Sequence, residues 1–113
     1  MTDPAAVTLT PAERAICAKI AAEITEHPER WTQGVIARSG FNFGTSADDP
    51  TAVCWCAYGF IVRSFPGDDS AERITDAFEM SIGRSIVDFN DWREREPSEV
   101  AAVFAKLAEA PQS

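Results

Sequence analysis

Asp49-Pro50-Thr51-Ala52-Val53-Cys54-Trp55-Cys56-Ala57-Tyr58-Gly59-Phe60-Ile61-Val62-Arg63-Ser64 is the stretch on which the fold turns. Asp49-Pro50 has the form of a helix start, a capping carboxylate with proline in the first turn. Read as one helix from Pro50 to about Ser64, the segment carries two apolar stripes. Val53, Ala57, Phe60 and Ile61 lie on one, and Trp55, Tyr58, Val62 and Phe65 on the other. A helix that is apolar on two sides is buried among others. This reading predicts an all-α domain, a compact bundle of four to five helices around a buried central helix, with at most one short strand pair near 35–43.

The flanking segments supply the other helices. Thr10-Pro11-Ala12-Glu13 is a capping box with proline at the first helical position. Ile16, Ile20 and Ile24 follow at four-residue spacing, and Pro28 expels His27 from the α region, so the first helix spans 11–26. Residues 28–38 suit either a short helix or an extended stretch, because Gly34 weakens a helix there. From Ser39 to Asp49 turn residues dominate, and this loop is expected to tuck Phe41 and Phe43 onto the body. Asp69 and Glu72 open another helix, with Ile74, Ala77, Phe78 and Ile82 facing inward and Gly83 closing it. After a short segment, 84–92, Pro97 starts the last helix, on which Val100, Phe104 and Leu107 face in.

Composition bounds what such a bundle does. A chain of 113 residues with 45% apolar and 25% charged residues has the make-up of one ordinary globular domain. The expected limits are a helical domain over 9–109 with loose tails at 1–8 and 110–113. No apolar run is long enough for a membrane span, and Met1 to Thr8 carries no basic residue of the kind a secretory signal needs, so a cytoplasmic location is expected. The net charge of −8 opposes nucleic-acid binding. Between Asp68 and Glu99 ten acids face four arginines, which suits either a solvated face or a surface that docks on a basic protein.

Three clusters combine aromatic or sulfur side chains with polar groups: Trp31-Thr32-Gln33-Gly34, Cys54-Trp55-Cys56-Ala57-Tyr58-Gly59 and Phe89-Asn90-Asp91-Trp92. Burying an amide or carboxylate without a partner is costly, so these groups are expected to meet each other, backbone or a ligand. The candidate binding residues are Trp31, Gln33, Arg38, Cys56, Asn90 and Asp91, gathered over the Cys54–Gly59 end of the central helix with the 39–49 loop as a lid. No metal or cofactor is expected. Cys54 and Cys56, two apart on a helix, point away from one another and lack the C-x-x-C spacing of zinc pairs. Three cysteines do not close a disulfide framework, so reduced thiols are expected. Gln33, Cys56, His27 and Asn90 are the residue types of a papain-like site, but the only histidine sits at a helix end beside Pro28.

The order Trp31-Thr32-Gln33-Gly34 with Ala37-Arg38, then Cys54 to Gly59, then Asn90-Asp91 and Glu99-Val100 resembles a family of small uncharacterised bacterial and phage proteins, a domain of unknown function. The resemblance covers about residues 12–109. It departs at Phe89, where the pattern has tryptophan, and at Glu96-Pro97, where a serine or threonine cap is usual. It implies one compact domain and the grouping of the three clusters, and it brings no reaction.

Three function classes follow. The first is a non-enzymatic module that binds a protein partner with a basic surface. The second is a domain that holds a small planar or anionic ligand between the clusters. The third is a cysteine-dependent enzyme.

Overall fold

The computed structural model describes residues 8–40, 43–65 and 69–109. Helix α1, Pro11–Glu26, is followed by a short 3-10 turn, Pro28–Arg30. Three strands come next: β1, Ala37–Ser39; β2, Gly44–Thr45; and β3, Ala52–Trp55. Four helices complete the chain: α2, Ala57–Ser64; α3, Asp69–Ile82; α4, Ile86–Asp91; and α5, Pro97–Ala108. The strands form one antiparallel sheet in the order β2-β1-β3. The fold is therefore α+β, mostly helical, and not the all-α bundle that the 49–64 stretch suggests.

That stretch divides because two local preferences compete within it. Asp49 does not cap a helix. Its carboxylate accepts from the Thr51 backbone N–H at 2.8 Å, from the Thr51 hydroxyl at 2.6 Å and from the Thr45 hydroxyl at 2.8 Å, closing a turn that returns the chain to the sheet. Ala52–Trp55 then pairs with β1, Ala37 opposite Trp55 and Arg38 opposite Cys54. The register slips before Ser39 meets Ala52, which leaves Val53 without a partner and exposed. The helix begins only at Cys56, whose Sγ accepts from the Gly59 N–H at 3.3 Å as an N-cap. Val53 and Trp55 suit a pleated surface, and the helical period holds only from Ala57 onward.

The other helices agree with their start and stop signals. Thr10 and Glu13 form the reciprocal capping box of α1. Gly83 leaves α3 at φ 71°, a left-handed conformation that glycine adopts without strain. Phe43 does not tuck in; it is 71% exposed, and Phe41 lies outside the described residues. The expected tails fall almost wholly outside them as well. No helix among the described residues is long and apolar enough to cross a membrane.

One core joins these elements. Helix α1 packs along α5, and α3 packs against α2, α4 and α5. Phe60, Phe78 and Phe104 are fully buried with Ile20, Ile24, Ile61 and Ile74. Phe78 stands at its centre, with ring centroids 5.1 Å from Phe104 and 5.7 Å from Phe89, the latter edge-on. At the rim of this core lies a buried carboxylate. Glu13 is 2% exposed and receives two bonds from the Arg73 guanidinium of α3, at 2.7 and 2.9 Å.

Burial alone would raise the Glu13 carboxyl. The Arg73 guanidinium, the Thr10 backbone N–H and the Ser70 hydroxyl outweigh it and bring the pKa down to about 2. A folded-state pKa below the unfolded value of 4.5 means stability that is full above about pH 5 and is lost as pH falls toward about 2. We expect an acid limb of up to about 3 kcal/mol between those limits in urea titrations of the native chain. Glu13→Gln should flatten that limb, whereas an unchanged limb would mean that other carboxylates carry it.

Candidate functional site

The three polar-aromatic clusters meet at Asn90, the next-to-last residue of α4 and 1% exposed. Its Oδ1 accepts from the Trp31 indole N–H at 2.6 Å and from the Ala57 backbone N–H at 2.8 Å. Its Nδ2 donates to the Thr32 carbonyl at 3.0 Å and to Asp91 Oδ1 at 2.9 Å. One amide thereby joins the segment after α1, the first turn of α2 and the end of α4. Gln33 works alongside it, its Nε2 donating to the carbonyls of Asn90 at 2.9 Å and Trp92 at 2.8 Å. These carbonyls lie where a helix ends and would otherwise lack partners.

Gly34 and Arg38 complete the arrangement. Gly34 takes φ 85° and donates its N–H to Asp91 Oδ1 at 3.0 Å. Arg38 bonds not an acid but two neutral oxygens, the Thr32 hydroxyl at 2.9 Å and the Gln33 carbonyl at 3.0 Å. It thus fixes the turn that carries Gln33. Across the sheet edge, Trp31 forms a parallel bridge with Trp55, and the Thr32 N–H donates to the Trp55 carbonyl at 3.0 Å. Gly59 is required by contact: a Cβ there would lie 2.1 Å from the Ile36 carbonyl oxygen, which also accepts from the Cys56 N–H at 3.1 Å.

Beside this joint opens a cavity of about 180 Å³. Val35, Ile36, Ile86 and Val87 form its walls, Tyr58 is at its edge, and Gly34, Cys56, Asn90 and Asp91 complete the lining. Tyr58 and Val87 are exposed, at 38% and 52%. Of the six candidate residues, Cys56, Asn90 and Asp91 border the cavity, whereas Trp31 and Gln33 bond to Asn90, Arg38 holds the Gln33 turn, and none of these three lines it. The described residues of the 39–49 loop do not line it. Gly44 and Thr45 pair with β1, and the Trp55 indole N–H donates to the Ala47 carbonyl at 2.9 Å.

The thiol chemistry is subdued. Burial pushes the Cys56 thiol up, and the Asp91 charge adds to this against the backbone N–H groups of Gly59 and Tyr58. A thiol held protonated is a poor nucleophile at neutral pH. Cys17, fully buried on α1, is pushed up to about 11 by burial and by the Glu13 charge. All three cysteines are free thiols. His27 caps α1, with Nδ1 3.5 Å from a Glu29 carboxylate oxygen, and no hydrogen bond joins it to Cys56 among the described residues. Among those residues no three His, Cys, Asp or Glu side chains gather as a metal site. Cys54 lies on β3 and Cys56 at the α2 N-cap, so the two do not share a helix as their spacing suggests.

Sequence reasoning missed the backbone N–H of Ala57, the tight approach at Gly59 and the two edge residues. Adjacent Ile86-Val87 on a six-residue helix was the available signal, because so short a helix buries only one of the two.

Residues 8–110 match the family model described as "Family of unknown function (DUF6197)", and the chain belongs to that family. No curated protein matches the chain. No solved structure matches it either.

Removing the Asn90 amide leaves the Ala57 N–H, the Trp31 indole and the Thr32 carbonyl unpaired under cover. We expect Asn90→Ala to lower stability by about 2–4 kcal/mol in denaturant titrations, and Trp31→Phe, which loses one bond, by about 1 kcal/mol beyond its packing loss. A change below 0.5 kcal/mol for Asn90→Ala would remove the amide from its structural role.

Proposed function

We propose that this member of DUF6197 is a non-enzymatic binding module that takes a protein partner at the Tyr58–Val87 cavity, in a reducing compartment such as the cytoplasm. One observation carries the reading. The polar groups of the three clusters are directed at each other, and what they leave facing outward is an apolar notch with exposed Tyr58 and Val87 at its mouth. A rigid frame behind an apolar recess suits the capture of a side chain from another protein. The raised Cys56 thiol and the absence of a bonded base among the described residues argue against nucleophilic catalysis there.

Concavity also favours the second reading, a small ligand. About 180 Å³ is below the roughly 300–1,000 Å³ of drug-sized sites. The amide donors of Asn90 and Gln33 are already engaged, and no cation among the described residues lines the recess, so an anion gains little there.

A photo-crosslinking amino acid placed at 87 or at 58, in cells expressing the protein at its native level, tests the reading. We expect a discrete protein adduct from both positions and none from Lys19 on the exposed side of α1. Equal labelling from position 19, or no adduct from 87 and 58, would contradict it. A metabolite that raises the melting temperature of the native chain but not of Val87→Arg would favour the small-ligand reading instead.

A further inference from the structure

Tyr58 borders two depressions with different chemistry. One is the apolar cavity between α2 and α4. The other, about 390 Å³, is an open hollow lined by Tyr58, Ala71, Glu72, Thr75 and Asp76 along α3. Glu72 and Asp76 lie four residues apart on one helical face, where like charges repel. Both are exposed, and neither has an ion pair among the described residues. Asp91, in the lining of the apolar cavity, is also exposed, and its bonds are to a backbone N–H and an amide rather than to a cation. Carboxylates thus stand in the lining of the apolar recess, at Asp91, and in the hollow beyond Tyr58, at Glu72 and Asp76.

We infer that the partner presents one bulky aliphatic or aromatic side chain with a lysine or arginine beside it: the apolar group fills the cavity, and the cation lies across Tyr58 toward Glu72 and Asp76. This rests on the protein-binding reading above and names the chemistry of its partner. The cavity volume suits a single side chain. The Tyr58 ring borders both depressions, and an aromatic ring attracts a guanidinium or ammonium. The opposite sign of charge on the partner relieves the Glu72–Asp76 repulsion and speeds encounter. A second copy of this chain is the wrong occupant, because its own net charge of −8 would bring carboxylates against carboxylates.

The test uses the full chain against a displayed library of random twelve-residue peptides. Enriched peptides should carry Leu, Ile, Met or Phe within three positions of Lys or Arg. Their affinity should fall about tenfold in Val87→Arg, by loss of the apolar anchor. It should fall about fivefold at low salt in the Glu72→Gln/Asp76→Asn double variant, and salt dependence should flatten with it. Both changes are at exposed positions, and melting curves confirm that each variant is folded. A library that enriches nothing, or only peptides without a basic residue, overturns the inference. So does a self-dimer in sedimentation that Val87→Arg dissolves. The crosslinked adduct at position 87 separates the two levels of the argument. An adduct whose contact segment lacks Lys and Arg removes this inference and leaves the protein-binding reading standing, whereas no adduct removes both.

Discussion

A primary amide has two lone-pair directions and two N–H groups, and burying it is favourable only when these are matched. Asn90 matches them with Trp31, Ala57, Thr32 and Asp91, drawn from three separated parts of the chain. Most of the local architecture depends on this. The Ala57 N–H is among the orphan donors of the α2 N-terminus, so Asn90 supplies a cap from another helix while Cys56 supplies the local one. Trp31 is aligned against β3, and Gln33 closes the carbonyl end of α4. The small sheet has two- to four-residue strands, too short to stand alone, and gains its fixed position from this joint and from Trp55.

The recess inherits that rigidity. Recognition of an apolar side chain loses affinity when the receiving recess must first be ordered. Here Gly34, Gly59 and the Asn90 bonds fix the floor and back of the cavity before any partner arrives. The groups that remain outward are Tyr58, Val87 and acids with no ion pair among the described residues. Arg63 and Arg95 do not offset these acids at the recess: Arg63 is held by Glu23 over the Trp55 ring, and Arg95 is stacked on Phe89 and paired with Glu99.

Local signals in the chain located what local physics determines. The Thr10–Glu13 box, the Gly83 stop and the apolar faces of α1, α3 and α5 are settled within a few residues, and the sequence reading of each agrees with the structure. The stretch from 49 to 64 was misread because Asp49-Pro50 serves a turn as well as a helix start. The partner that makes Ala52–Trp55 a strand lies some fifteen residues away, at Ala37–Ser39. The coming together of Trp31, Gln33 and Asn90 was legible as a need for partners. The identity of those partners was not, since several are backbone groups that no residue type announces, such as the Ala57 N–H and the Thr32 carbonyl. The apolar cavity was legible only as a concavity near the clusters. Its walls come from Val35, Ile36, Ile86 and Val87, residues with no distinguishing chemistry.

The central claim is that one buried amide holds these segments as a single unit. Native-state hydrogen exchange of two protons, the Trp31 indole N–H and the Ala57 backbone N–H, tests it most directly. If the account is right, both exchange only through global unfolding, with protection equal to that of core amides in α1 and α5. If either exchanges through local opening, faster than the core amides of α1 and α5, then Asn90 is not the joint and the account fails.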